Sequence, residues 1–98
     1  MPYAIRVITG REAGRIHPLF DNGKIVLGHD PTCGILVADK YVSRFHCQIV
    51  VKEGKCVLTD LRSRNGTFVD AQRVTHCELG FGSHIRIGET LLRLEIVG

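Results

Sequence analysis

The chain has 98 residues, of which 44% are hydrophobic, so it is long enough for one domain with a buried core and too short for two. Lysine and arginine exceed aspartate and glutamate by 13 to 10, without the dense basic runs of a nucleic-acid-binding arm. No apolar stretch approaches the roughly 20 residues that a membrane span needs, so we expect one soluble domain over residues 1–98.

Short β-type runs separated by turn residues follow one another along the chain. They are rich in β-branched residues, and none has the length and period of a helix. The predicted strands are 3–9, 15–20, 24–28, 35–37, 46–51, 55–60, 67–69, 72–74, 84–87 and 90–97. Two-residue connections at 53–54, 70–71 and 88–89 predict hairpin turns. The spacing is typical of an all-β sandwich or barrel.

Alternation within these strands predicts which side chains face the core. The expected inward positions are Ile5, Val7, Ile25, Leu27, Ile49, Val51, Val57, Phe68, Ile85, Ile87, Leu92 and Leu94. Three of the cysteines, Cys47, Cys56 and Cys77, are predicted to be small buried packing residues. Cys33, which lies in a long connection, is predicted to be the exposed thiol.

The cysteines also bear on compartment and metal binding. No C-x-x-C pair occurs, and the first residues lack the apolar stretch of a secretory signal, so we expect a reduced, cytoplasmic setting. His46-Cys47 and His76-Cys77 are adjacent pairs, and neighbours in a strand point to opposite faces. Neither pair is suited to one metal ion, so no metal site and no cofactor are predicted.

Three connections carry the polar groups expected of a binding site. A sandwich gathers its loops at its ends, where rigid strands hold them. The first loop (28–34) contains His29, the second loop (39–44) contains Ser43 and Arg44, and the third loop (61–66) contains Arg62, Ser63, Arg64 and Asn65. If the loops converge, they form a positive rim rich in hydrogen-bond donors.

Ordered short motifs across nearly the whole chain resemble those of the forkhead-associated (FHA) domain. They are LGH at 27–29, S-R-x-H at 43–46, D-L-x-S-x-N-G-T at 60–67, L-x-x-G at 79–82 and I-R-I-G at 85–88. The resemblance implies a β-sandwich of about eleven mostly antiparallel strands, with binding loops at one end. It also implies a non-catalytic module that recognises phosphothreonine-containing protein segments in signalling or assembly, alone or beside other domains of a longer chain.

The resemblance assigns ligand contacts to these loops. The serine at the place of Ser43 meets a phosphate oxygen, and the guanidinium of Arg44 suits bidentate contact with the same group. Arg64 replaces a serine or threonine that touches phosphate in many members, so we expect it to supply charge. The side-chain amide of Asn65 is expected to bond the main chain of the bound peptide.

A second set of residues is expected to support the site without touching the ligand. His46 matches a largely structural histidine of the family, which holds the loop that presents the serine. Ser63 and Thr67 are expected to tie the third loop together through side-chain to backbone bonds. Gly28 and Gly66 are expected to serve backbone shape, because glycine tolerates conformations that other residues avoid.

His29 departs from the pattern, since the family usually places its main phosphate-binding arginine after the glycine. A neutral imidazole offers one donor, whereas guanidinium offers five and a permanent charge. One outcome is that Arg44 and Arg64 supply the charge and that His29 contacts phosphate, in which case affinity rises as pH falls toward 6. The alternative is a diverged FHA domain that binds an unmodified protein partner.

Two other function classes are considered from the residues. Ser43, His46 and Asp60 are the residue types of a hydrolase triad, but Ser43 and His46 are three apart and no G-x-S-x-G elbow occurs. The aromatic residues lie mostly in apolar strand contexts, without the interleaved basic residues of a single-strand binder. We therefore predict neither an enzyme nor a nucleic-acid or membrane partner, and Tyr41 is expected to line the peptide groove.

Overall fold

The computed structural model of the chain describes residues 3–97, so residues 1, 2 and 98 of the expected domain lie outside the described residues. One sheet contains six strands: Tyr3–Val7 (β1), Ile16–Leu19 (β2), Thr67–Val69 (β7), Gln72–Val74 (β8), His84–Ile87 (β10) and Thr90–Ile96 (β11). Their spatial order is β2-β1-β11-β10-β7-β8, and every described pair is antiparallel.

The second sheet contains five strands: Lys24–Gly28 (β3), Ile35–Leu36 (β4), Cys47–Lys52 (β5), Lys55–Asp60 (β6) and His76–Leu79 (β9). Its order is β4-β3-β5-β6-β9, and only the short β3/β4 pair is parallel among the pairs described. The expected sandwich of about eleven mostly antiparallel strands is therefore confirmed. β9 lies outside the ten predicted runs, because this edge strand buries only Leu79 and lacks a run of apolar residues.

One hydrophobic core lies between the two sheets. Nine of the predicted inward residues are buried in it: Ile5, Val7, Leu27, Ile49, Val51, Ile85, Ile87, Leu92 and Leu94. Ile25 is partly buried and packs against the same cluster. All three predicted hairpin turns are present, and Asp70 and Ala71 both adopt positive φ, 49° and 69°, without a glycine.

Two core predictions, Val57 and Phe68, were wrong by one residue of strand register. In β6 the buried residues are Cys56 and Leu58, whereas Val57 is partly exposed on the outer face. In β7 the buried residues are Thr67 and Val69, whereas Phe68 lies on the outer face. Because side chains alternate along a strand, a shift of one position exchanges the two faces.

The corrected register of β6 predicts different costs for two adjacent truncations. Leu58→Ala leaves a cavity in the core and should lower the free energy of unfolding by about 2–5 kcal/mol. Val57→Ala removes methyl groups from the outer face and should cost about 1 kcal/mol or less. Urea unfolding of both variants tests the register, and a larger cost for Val57→Ala would contradict it.

Candidate functional site

Three strands of the five-stranded sheet bring the predicted loops to one end of the sandwich. Leu27 at the end of β3 lies opposite Cys47 at the start of β5, and Cys47 lies opposite Asp60 at the end of β6. The first loop leaves β3 at this row, the second loop approaches β5 there, and the third loop leaves β6 there. Residues far apart in the chain therefore meet at one edge.

The buried imidazole of His46 joins the second loop to the third. Its Nδ1 accepts a hydrogen bond from the Ser43 backbone N–H at 3.0 Å, and its Nε2 lies 2.9 Å from the Gly66 carbonyl oxygen. Because the first partner only donates and the second only accepts, the ring is the neutral tautomer with its proton on Nε2. His46 is 0% exposed, so it positions the loops and does not line the surface.

Backbone contacts at Gly28 lock the first loop to the second. A Cβ atom at Gly28 would lie 2.1 Å from the Arg44 carbonyl oxygen, so only glycine fits where the first loop crosses the second. The backbone N–H groups of His29 and Asp30 donate to the carbonyl oxygens of Ser43 and Arg44, at 3.0 and 3.1 Å.

The prediction of an exposed Cys33 thiol was wrong. Its side chain is only 9% exposed, because it packs where the first loop crosses the second. Its Sγ donates to the Arg44 carbonyl oxygen at 3.2 Å, and burial raises the pKa of the thiol. Cys77, which was predicted to be buried, is partly exposed on the edge strand β9.

The carboxylate of Asp60 organises the third loop from its base. Its oxygens accept hydrogen bonds from the Ser63 hydroxyl at 2.5 Å, the Ser63 backbone N–H at 3.1 Å and the Thr67 hydroxyl at 2.7 Å. Burial opposes ionisation, but the bonds from Ser63 and Thr67 outweigh it and lower the pKa of Asp60. The Ser63 hydroxyl also accepts the Gly66 N–H at 3.0 Å, so the loop is held by side chains at both ends.

An open depression lies between the second and third loops. It is lined by residues 40–44, Arg64 and Asn65. The Arg64 backbone N–H donates to Ser43 Oγ at 3.0 Å, and Asn65 Nδ2 donates to the Tyr41 carbonyl oxygen at 2.8 Å. The lining residues thus include three cationic side chains and, among the residues that the structure describes, no carboxylate.

Arg44 has a carboxylate partner that the sequence analysis did not assign. Its Nη2 lies 2.8 Å from Asp30 Oδ2, while the arginine side chain stays 77% exposed and the aspartate side chain 11%. The Thr32 hydroxyl and backbone N–H bind the other oxygen of Asp30 at 2.6 and 2.9 Å. Hydrogen bonds from Thr32 and then from Arg44 lower the pKa of Asp30 to about 2. The guanidinium is therefore anchored on one side by a carboxylate that is ionised at neutral pH.

Four of the predicted ligand residues lie together, and one stands apart. Ser43, Arg44, Arg64 and Asn65 all line the depression, and so does Tyr41. His29 is exposed, but its side chain is not among the lining residues, and only its backbone is tied to Ser43.

Lys40 also lines the depression and was not singled out from the sequence. It was overlooked because a lysine in a polar loop has no distinctive pattern. The neighbouring Asp39 braces this loop against the β10–β11 turn. Its Oδ2 accepts the Glu89 backbone N–H at 2.7 Å and the Thr90 hydroxyl at 2.9 Å.

The structure also bears on a hydrolase triad, a metal site and a membrane-spanning helix. The Ser43 hydroxyl, the His46 ring and the Asp60 carboxylate bond to different groups, so they do not form a hydrogen-bonded relay. Across residues 3–97, no three His, Cys, Asp or Glu side chains are grouped as a metal ion requires. That same stretch contains no helix able to cross a membrane.

Sequence comparison identifies a family and several relatives. Residues 6–98 match the family described as "Inner membrane component of T3SS, cytoplasmic domain". The FHA domain-containing protein FhaB of Mycolicibacterium smegmatis is 28% identical over 74 residues, which are 74% of this chain and 48% of that protein. The chain thus spans about half the length of this curated relative.

Solved structures share the fold along the whole chain. One, described as a structural and functional analysis of phosphothreonine-dependent FHA domain interactions, has a TM-score of 0.91 at 26% identity and covers 100% of this chain and 99% of its own. The FHA domain of the CT664 protein from Chlamydia trachomatis has a TM-score of 0.93 at 24% identity and covers 100% of both chains. At that identity, the second likeness shows the fold alone.

The hydrogen bonds of Asp60 predict how stability depends on pH. Since folding lowers the pKa of Asp60, its contribution is complete above the ordinary aspartate value of about 4 and is lost as pH falls through the folded value. Asp60→Asn should lower the free energy of unfolding at pH 7 by about 1–3 kcal/mol. The difference from the native chain should shrink as pH falls below about 4, as measured by urea unfolding.

Asp21→Asn provides the matched control, because it makes the same change in an exposed turn at the opposite end of β3. It should alter stability by about 0.5 kcal/mol or less. A deficit of Asp60→Asn that stays constant from pH 7 to pH 2 would contradict the assignment.

Proposed function

We propose a phosphothreonine-binding role for this chain, which belongs to the FHA-domain family described as the cytoplasmic domain of the inner membrane component of T3SS. In this proposal the chain is a non-catalytic protein-interaction module. The depression between the second and third loops receives the phosphorylated side chain of a partner segment. The observation that carries the proposal is the convergence of Ser43, Arg44, Arg64 and Asn65 on that depression.

The hydroxyl of Ser43 is suited to donate to phosphate. A hydroxyl has one proton and two acceptor positions, and here one acceptor position is taken by the Arg64 backbone N–H. In the part of the chain that the structure describes, the Ser43 proton is not directed to any protein acceptor. It is therefore available to an oxygen of a ligand in the depression. The Arg64 guanidinium supplies positive charge beside it.

Arg44 contributes an anchored guanidinium to the same rim. Asp30 occupies one edge of the five-donor fork, which leaves other N–H groups on an exposed side chain for a phosphate oxygen. The low pKa of Asp30 keeps this anchor charged at neutral pH. An anchored side chain loses less conformational freedom on binding than a free one. Asp30 also offsets part of the positive charge, so Arg64 and Lys40 become more important to affinity.

Asn65 is proposed to orient the peptide. One N–H of its amide is engaged with the Tyr41 carbonyl, which fixes the side chain at the edge of the depression. The second N–H and the amide oxygen remain for the main chain of a bound segment. His46 has both ring nitrogens engaged, which favours a positioning role over proton transfer. Recognition without bond breaking is the function that these groups support.

A second candidate function is phosphate-independent binding of a protein partner through the same loops. Two observations favour it: the side chain of His29 is not among the residues lining the depression, and Asp30 already neutralises part of the charge of Arg44. In that case the depression receives a polar, unmodified segment.

The family description supports a cytoplasmic location, and we propose that compartment for the module. The described residues share one core, which supports a single domain over 1–98. The greater length of FhaB is compatible with such a module acting within a longer protein.

Peptide pools that differ only in phosphorylation test the proposed function. We expect a degenerate pool with a central phosphothreonine to bind the native domain more tightly than the matched threonine pool, as measured by fluorescence anisotropy. Ser43→Ala and Arg64→Ala should each weaken binding by about 10-fold to 100-fold, because each removes a charge-assisted contact. Arg62→Ala is the matched control, since Arg62 lies in the same loop outside the lining.

The variant His29→Arg separates the two candidate functions. Binding of the phosphorylated pool by the variant alone would favour the phosphate-independent role for the native chain. Equal binding of both pools, unaffected by Ser43→Ala, would exclude phosphate recognition at this depression. Circular dichroism of each variant establishes that a loss of binding is not a loss of fold.

A further inference from the structure

The outer face of the six-stranded sheet carries a cluster of arginines, none of which lines the depression between the second and third loops. We call it the arginine face and define it by Arg6, Arg73, Arg86, Arg93, Phe68 and Glu95. Strand register places Arg6 opposite Arg93, and places Phe68 opposite both Arg86 and Arg73. Because neighbouring strands lie about 4.8 Å apart, these side chains form a continuous surface across five strands.

The charge on this face is concentrated and chemically uniform. Its four arginines and one glutamate leave three net positive charges, which equals the formal net charge of the whole chain. All the lysines, Lys24, Lys40, Lys52 and Lys55, lie elsewhere, on the five-stranded sheet, its hairpin or the second loop. Arginine is enriched and lysine depleted in protein interfaces, so this segregation favours a binding surface over a merely solvated one.

The carboxylate of Glu95 lies on the arginine face and shows that its guanidinium groups can bind an anion. Both oxygens of Glu95 lie 2.9 Å from Arg6 Nε, and Arg93 also donates to Glu95 Oε2 through Nε at 3.1 Å. Hydrogen bonds from Arg93 and then from Arg6 lower the pKa of Glu95. Guanidinium groups from two neighbouring strands, β1 and β11, therefore bind one carboxylate on this face.

Arg86 and Arg73 have no carboxylate partner among the ion pairs of residues 3–97, and both side chains are exposed. The Arg86 guanidinium lies 4.2 Å from the centre of the Phe68 ring, and its Nη1 donates to the Gly88 carbonyl oxygen at 3.0 Å. The Arg73 guanidinium lies so close to Gly66 that a Cβ there would be 2.7 Å from its Nε. Two exposed cations, of which Arg86 is fixed by its own contacts, therefore remain for an external anion.

We propose that the arginine face binds an acidic, unphosphorylated segment of a partner protein, whose carboxylates pair with Arg86 and Arg73 as Glu95 pairs with Arg6 and Arg93. This interaction is separate from the proposed phosphothreonine site. A protein segment fits better than single-stranded nucleic acid, because base stacking needs a free aromatic face and Arg86 covers the Phe68 ring. The apolar neighbours Leu91 and Ile16 suit a segment that mixes acidic and apolar residues.

The probe is a fluorescent 12-residue peptide that alternates glutamate and valine, titrated into the whole chain at two salt concentrations. The double variant Arg73→Glu/Arg86→Glu should weaken binding at least tenfold, and Arg73→Gln/Arg86→Gln should weaken it less, because it removes charge without reversing it. The control Lys52→Glu/Lys55→Glu makes the same charge change on the β5–β6 hairpin and should alter affinity less than twofold. Thermal unfolding establishes that each variant is folded.

Three outcomes would overturn the proposal. The native chain fails to bind the acidic peptide, the lysine control weakens binding as much as the arginine variants, or neither arginine variant weakens it. A labelled 15-nucleotide oligothymidine, titrated in parallel, tests the nucleic-acid alternative. Tighter binding of the oligonucleotide than of the peptide, lost in the arginine variants, would assign the face to nucleic acid instead. None of these outcomes depends on phosphate recognition by Ser43.

Discussion

Two hydrogen bonds from the buried ring of His46 hold the second and third loops together. The ring accepts from the Ser43 N–H and donates to the Gly66 carbonyl, so one side chain fixes the separation of the two walls of the depression. Removing it would leave a buried donor and a buried acceptor unpaired, each at a cost of about 1–3 kcal/mol. The bond from the Arg64 N–H to the Ser43 hydroxyl depends on that separation. A buried side chain thus fixes the geometry of the exposed depression.

Much of the fold follows from local patterns, and the errors in register also have a local cause. A two-residue turn at 53–54 pairs Val51 with Cys56 and Val50 with Val57, and paired residues share a face. If Val51 faces the core, then Cys56 faces the core and Val57 faces outward. The two-residue turn and the alternation of side chains were sufficient to predict this. The turn at 70–71 likewise pairs Phe68 with Arg73, which places Phe68 on the outer face beside a charged residue. β9 was not predictable in this way, because its pairing with β6 joins distant segments and buries little.

The site was predictable as a set of loops but not as a set of contacts. Short ordered motifs placed Ser43, Arg44, Arg64 and Asn65 on one surface, since strand order brings their loops to one end. The ion pair between Arg44 and Asp30 depends on loop backbone shape, which alternation does not encode. The burial of Cys33 has the same origin, because it follows from the crossing at Gly28. The sequence therefore predicts which residue types lie in the binding loops. It does not predict the contacts between loops, which depend on the three-dimensional path of the backbone.

We propose that a phosphate enters the depression whose walls His46 fixes. The most direct measurement is a ¹⁵N–¹H correlation spectrum of the assigned chain, titrated with the phosphothreonine peptide pool and with its unphosphorylated counterpart. We expect only the phosphorylated pool to shift the backbone amide signals of Ser43, Arg64 and Gly66, in a saturable manner. Shifts confined to Arg73 and Arg86, or identical shifts from both pools, would contradict it.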